Sequence, residues 1–149
     1  MTEVLFYILD DEAPNATQHF ACRLTEKAHT AGHRVYVHAG DAAQVSALDQ
    51  LLWTFRQGSF VPHATSDTIT PDDDLTPVVI GHGEPPPGFD DISINLGGDV
   101  ALFFSRFRRH MEVVAPTRRE QARDAYRFFR DRGYELTTHQ IRDAFRRRS

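Results

Sequence analysis

Apolar residues along this chain alternate between short unbroken runs and longer, helically spaced stripes. Val4-Leu5-Phe6-Tyr7-Ile8-Leu9 is a continuous run that stops at Asp10-Asp11. Such a run predicts a strand buried on both faces, as in a parallel sheet. Residues 16–31 then carry Phe20, Leu24 and Ala28 on one stripe, with Gly32 as a stop, and predict a helix. Arg34-Val35-Tyr36-Val37-His38 is a second strand. Asp41 with Gln44 forms a capping-box pattern for a helix that runs to about Phe55. This strand–helix–strand–helix order argues for an α/β sheet with right-handed crossovers.

The second helix leads into the densest aromatic stretch. Leu48, Leu51, Leu52 and Phe55 keep helical spacing, and Gly58 ends the helix. Ser59-Phe60-Val61-Pro62-His63 continues as an extended segment that Pro62 keeps out of the middle of a sheet. Trp53, the only tryptophan, and Phe60 are aromatic groups beyond what the corner needs for packing. Aromatic side chains of this kind are what protein partners grip.

Further on the signals shorten. Residues 64–76 read as a loop with Asp72-Asp73-Asp74 exposed, and Pro77-Val78-Val79-Ile80 as a strand. Residues 81–90, with Pro85-Pro86-Pro87, read as a mobile loop. Ile92 to Leu96 alternates as a strand, Val100 to Phe107 is a short helix, and Met111 to Val114 a fifth strand. Thr117 with Glu120 suggests a capping box for a helix ending near Arg132, before Gly133. Thr137 with Gln140 suggests a last short helix ending in Arg146-Arg147-Arg148. No repeat or linker interrupts the pattern, so residues 1–149 are read as one domain.

Composition narrows the class. No apolar run approaches the ~18 residues of a membrane span, and no basic-then-apolar signal opens the chain. Cys22 is the only cysteine, so no internal disulfide is possible, a cytoplasmic setting is the default, and a thiol among apolar residues reads as structural. The net charge of −4 hides a division. Residues 1–100 hold 4 basic and 15 acidic side chains, whereas residues 101–149 hold 13 basic and 6 acidic. The basic C-terminal part suits an anionic partner: nucleic acid, a phosphate-bearing ligand or an acidic peptide.

Catalytic and cofactor signatures are missing. The eight histidines include no H-E-x-x-H pair, and His82-Gly83-Glu84 lacks the P-C-x-x-C of zinc deaminases. No metal or other cofactor is expected. No G-x-G-x-x-G follows the first strand, and no phosphate-binding loop with its lysine occurs. No serine sits in a G-x-S-x-G elbow. Asp10 and Asp11 lie where α/β enzymes place functional groups, but exposed loop acids look the same.

The helix from Arg118 to Arg132 is more distinctive. Arg119, Arg123, Tyr126, Arg127 and Arg130 recur at spacings of three and four along one side. Arginine grips carboxylates bidentately, and tyrosine supplies an amphipathic wall. Ala122, Ala125 and Phe129 form the neighbouring stripe that packs inward.

Several of these pieces together resemble a known family. F-Y-I-L-D at 6–10, L-D-x-x-L-W at 48–53 and S-F-V-P-H at 59–63 come first. The strand from Asp91 to Leu96, Glu112-Val113-Val114, A-R-x-x-Y-R-x-x-R at 122–130 and Gly133-Tyr134-x-Leu136 follow in order. The chain resembles the chi subunits of bacterial DNA polymerase III over nearly its whole length, with no usable match in 64–90. The resemblance implies a single three-layer α/β/α domain with a mainly parallel sheet, nucleotide-binding-like but without a phosphate-binding loop. It implies a non-catalytic clamp-loader accessory protein with two partners. One is the psi subunit, expected at Trp53 and Phe60. The other is the acidic, Phe-ending tail of single-stranded DNA-binding protein, expected at Arg123, Tyr126, Arg127 and Arg130. DNA would be reached indirectly and no membrane is involved. The alternative from another class is a direct single-stranded nucleic-acid binder, with arginines on phosphates and Tyr126 on a base. A third is a divergent hydrolase using Asp10, Asp11 and a histidine.

Overall fold

The computed structural model describes residues 1–70 and 75–142. Its centre is a seven-stranded sheet in the order β3-β4-β2-β5-β6-β1-β7. The strands are β1 (Glu3–Leu9), β2 (Val35–His38), β3 (His63–Thr65), β4 (Val78–Gly81), β5 (Ile92–Asn95), β6 (Arg109–Val114) and β7 (Glu135–Ile141). Every pairing is parallel. Helices α1 (Ala16–Thr30) and α2 (Ala42–Thr54) pack on one face, and α3 (Arg119–Asp131) on the other. The three-layer α/β reading therefore holds. No helix among the described residues is long and apolar enough to cross a membrane.

Local chemistry explains most boundaries. The Asp41 side chain accepts from the Gln44 amide at 2.8 Å, so α2 is capped as its sequence suggests. The Gln44 side chain returns to the Gly40 amide rather than to Asp41 itself, closing a box one residue wider. Gly32 and Gly133 end their helices at positive φ, 93° and 81°. Phe20, Ala28 and Cys22 are buried under α1, and burial pushes the Cys22 thiol up to about 12. A thiol that stays protonated is a packing group, not a nucleophile.

Four expectations need correction. The last helix does not begin at Thr137: residues 135–141 form β7, paired with β1 from Glu3↔Glu135 to Leu9↔Ile141. Thr137 and Thr138 are β-branched, and β1 offers a free edge whose backbone groups need partners. Arg146, Arg147 and Arg148 lie outside the described residues, as do Asp72, Asp73 and Asp74. The Thr117–Glu120 box does not form. Pro116–Arg118 is instead a 3₁₀ turn that leads into α3 without a side-chain cap, and Arg118 reaches back to the Gly97 carbonyl at 3.1 Å. Residues 64–76 are not wholly loop, because β3 adds an edge strand at His63–Thr65 just past Pro62. Finally, Ile92–Asn95 is buried at all four positions, as a central parallel strand should be, and Leu102–Arg106 forms a 3₁₀ segment rather than an α-helix. The proline-rich segment is irregular, yet it is fastened. Phe89 is buried beneath the Arg34 guanidinium, 3.9 Å away, and Tyr36 donates to the Gly83 carbonyl at 2.7 Å.

The α3 face of the sheet carries a feature that went unread. Ser93, Asn95, His110 and Glu112 form a buried polar seam between two apolar clusters. The Ser93 hydroxyl lies 2.6 Å from His110 Nδ1, and His110 Nε2 lies 2.7 Å from the Glu112 carboxylate. Asn95 donates to Glu112 at 3.1 Å, and its oxygen meets His38 Nδ1 at 2.8 Å. Serine, histidine and glutamate in this order suggest a nucleophile, but Ser93 and His110 are both 0% exposed. The I-S-I-N and R-H-M-E segments signal the seam, since their polar residues sit at every second position of apolar strands. Among the described residues no buried side-chain polar atom lacks a partner.

Candidate functional site

Two places expose what recognition needs, and they lie at opposite edges of the sheet. The first is a groove beside β7. The even-numbered residues of β1 and β7 face α3, as alternation along a strand requires. Phe6 and Ile8 supply an apolar floor, with Thr138 and Gln140 beside them. Ala122 and Tyr126 form the α3 wall, and the Tyr126 ring lies 5.5 Å from that of Phe6. Arg119, Arg123, Arg142 and one acid, Asp10, line the remainder of a cavity of about 420 Å³.

The cations differ in how they are held. Arg119 donates to the Leu9 carbonyl at 3.3 Å. Arg123 makes no hydrogen bond or ion pair among the described residues, so its five donors are open to a ligand. Arg127 and Arg130 stand outside this groove. Arg127 pairs with Asp124 at 2.7 Å and Arg130 with Asp131 at 3.0 Å, all four exposed. Of the four expected tail-contacting residues, the structure thus brings Arg123 and Tyr126 together and leaves Arg127 and Arg130 on the helix's outer side. The sequence reading missed Phe6 and Ile8, whose side of β1 is settled only by where α3 packs, and Thr138 and Gln140, which face α3 only because residues 135–141 form β7.

The second place is the corner between α2 and β3. Trp53 is 47% exposed and Phe60 69% exposed, with ring centroids 5.7 Å apart. His63 lies under Trp53, centroids 4.2 Å apart, with its side chain enclosed. Its Nδ1 is 2.7 Å from the Val61 carbonyl and its Nε2 3.0 Å from that of Asp49. The turn before Phe60 is clasped to α1, where Arg56 and Ser59 both donate to Glu26. Burial would raise the Glu26 carboxyl, but these hydrogen bonds outweigh it and hold the group below the ordinary carboxylate range. The aromatic pair is therefore a platform presented on a braced turn. Six strand spacings separate the two edges, roughly 29 Å at ~4.8 Å each.

No group of three or more potential metal-ligating side chains occurs among the described residues.

Residues 1–137 match the family model described as DNA polymerase III chi subunit, HolC. The chain is 42% identical over 143 residues to a DNA polymerase III subunit chi of Pseudomonas aeruginosa, covering 95% of this chain and 98% of that one. It is 28% identical to the chi subunit of Haemophilus influenzae and 26% identical to that of Escherichia coli, covering 91% and 93% of this chain. Among solved structures it is similar to Mss116p DEAD-box helicase domain 2 bound to an RNA duplex, with a TM-score of 0.58 at 10% identity. That match covers 95% of this chain and 66% of the other, and it speaks to the fold alone.

Proposed function

Because this chain belongs to the chi-subunit family of DNA polymerase III, a replication accessory subunit, we propose that it is a two-ended adaptor. One end takes the acidic, Phe-ending tail of single-stranded DNA-binding protein, and the other takes the psi subunit of the clamp loader. The observation that carries the first half is the unpartnered Arg123 above the Phe6–Ile8 floor. A terminal phenylalanine needs an apolar slot for its ring and a guanidinium for its carboxylate. The groove offers both within one cavity. The exposed Trp53–Phe60 pair supports the second half, since rigid aromatic groups on a braced turn lose little entropy when covered.

Recognition at the groove divides into two parts. Arg119, Arg123 and Arg142 draw the acidic tail in and orient its terminus. The floor takes the ring, removing apolar surface worth ~1.5–3 kcal/mol from water. No bond changes, so this chain's contribution is position and affinity. Titration with a fluorescent acidic peptide ending in Pro-Phe tests the reading. It predicts saturable binding that Arg123→Ala weakens and that a naked oligonucleotide does not match. Tighter, strongly salt-dependent binding to the oligonucleotide would favour direct nucleic-acid binding instead.

A further inference from the structure

The two faces of the β1–β7 edge are not equally covered. On one face α3 lies over β1 and β7. On the other, α1 lies over β2, β5 and β6, and α2 over β3 and β4. Among the described residues α1 meets β1 on that face only along its margin, where Leu9 is buried and the Phe20 ring lies 5.6 Å from that of Tyr7, and no helix is seated over β7 there. Parallel strands are almost always covered on both faces, so a helix position is vacant here. The vacancy is a groove of about 580 Å³ floored by Leu5, Tyr7, Met111 and Ile141, with Phe20 and Leu24 of α1 as one wall.

Charge marks the kind of occupant. The first hundred residues contain only four basic side chains, and three of them, Arg23, Lys27 and Arg56, line this groove. Arg109, which pairs with Glu3 at 3.1 Å, stands as a fourth at the start of β6. The only acid in the lining, Glu26, pairs with Arg56, which leaves Arg23 and Lys27 in excess over it on this side of the groove. An apolar floor with a cationic rim, set in an otherwise acidic half of the chain, is complementary to an acidic amphipathic element. Size agrees. β1 has 7 residues and spans roughly 23 Å, the length of a helix of about 15 residues.

We propose that the open face of β1 and β7, walled by α1, is a docking groove for an acidic amphipathic helix of a partner protein. That helix lies alongside α1 and completes the third layer. The site is on the opposite face of the sheet from the Arg123 groove and does not depend on what that groove binds.

The test uses the full chain, labelled with ¹⁵N, and two 16-residue helical probes. Both carry leucine at i, i+3, i+4 and i+7 repeats; the remaining positions are glutamate in one and lysine in the other. The proposal expects the glutamate probe to shift the amides of Leu5, Tyr7 and Ile141 saturably while leaving those of Trp53 and Tyr126 in place. It expects Lys27→Glu to weaken that probe at least tenfold, Lys27→Gln to weaken it less, and the lysine probe not to bind. Lys27 is exposed, so neither variant threatens folding. Equal binding of both probes, no shift at β1 and β7, or shifts confined to α3 overturn it. Binding that appears only in a chain ending at Arg142 also overturns it, because residues 143–149 would then be the occupant.

Discussion

At the β7 edge the chain offers a concave slot, and at the β3 edge a convex one-sided platform. The slot is built from three elements distant in sequence, with Phe6 and Ile8 from β1, Gln140 from β7 and Arg123 from α3. The platform comes from a single stretch, Trp53 to His63. The slot is cationic and small, suited to the end of a chain. The platform is neutral and exposed, suited to a surface that buries it. As proposed, the two edges would let one fold hold two partners at once, provided that neither contact strains the sheet between them.

The largest expected effect separates the edges most cleanly. Arg123→Ala removes the only cation of the slot with no intramolecular partner among the described residues. A charge-assisted contact is worth ~1.5–3 kcal/mol, so tail affinity should fall roughly ten- to a hundredfold. Psi binding should not change, as parallel fluorescence titrations of the two partners would show. Equal losses for both partners would mean that the edges communicate.

Phe60→Ala is the converse. Phe60 is 69% exposed, so truncation should leave the fold intact by circular dichroism. Hot-spot aromatics contribute about 2 kcal/mol or more, so psi affinity should drop roughly thirtyfold while tail affinity holds. Unchanged psi binding in a pull-down would remove the platform from the account.

Arg127→Ala and Arg130→Ala sharpen the slot's boundary. Both residues are paired with neighbouring acids outside it, and exposed pairs contribute little. Each variant should weaken the tail only about two- to threefold, mainly through a slower on-rate that high salt erases. A tenfold loss for either one would extend the tail site along the outer side of α3.

Acidification gives the smallest expected effect, and it falls on one edge. The Glu26 carboxyl is held below its ordinary range, so its clasp stabilises the folded chain above the ordinary carboxylate value and weakens as pH falls through the lowered one. Amide exchange in residues 56–60 should therefore rise on acidification before exchange in α3 does. Glu26→Gln should show the raised exchange already at neutral pH.

How much of this was legible in the sequence differs between the same two regions. The platform was readable because its parts are local: Gly58, Pro62 and the spacing of Leu48 to Phe55 mark the turn in one stretch, and only its clasp to Glu26 of α1 comes from a distance. The slot was half-readable. The Arg/Tyr stripe follows from helical spacing, but its floor depends on Glu135–Ile141 pairing with β1, more than 120 residues away in sequence. Locally, Thr137-x-x-Gln140 imitates a helix start, and tertiary pairing overrides it. The Ser93–His110 contact was out of reach in the same way, since it forms only across the β5–β6 pairing, although the alternation of I-S-I-N and R-H-M-E already marks a polar side on each strand.

The slot is proposed to read a terminal aromatic residue as well as charge. Binding of two acidic peptides that differ only by the final phenylalanine, measured by stopped-flow at low and at high salt, tests it most directly. Deleting the phenylalanine should mainly speed dissociation, with a loss of ~1.5–3 kcal/mol at either salt, whereas raising salt should mainly slow association. If the shortened peptide binds as tightly as the full one, the contact is charge attraction alone and the slot has no role in recognising the tail's end.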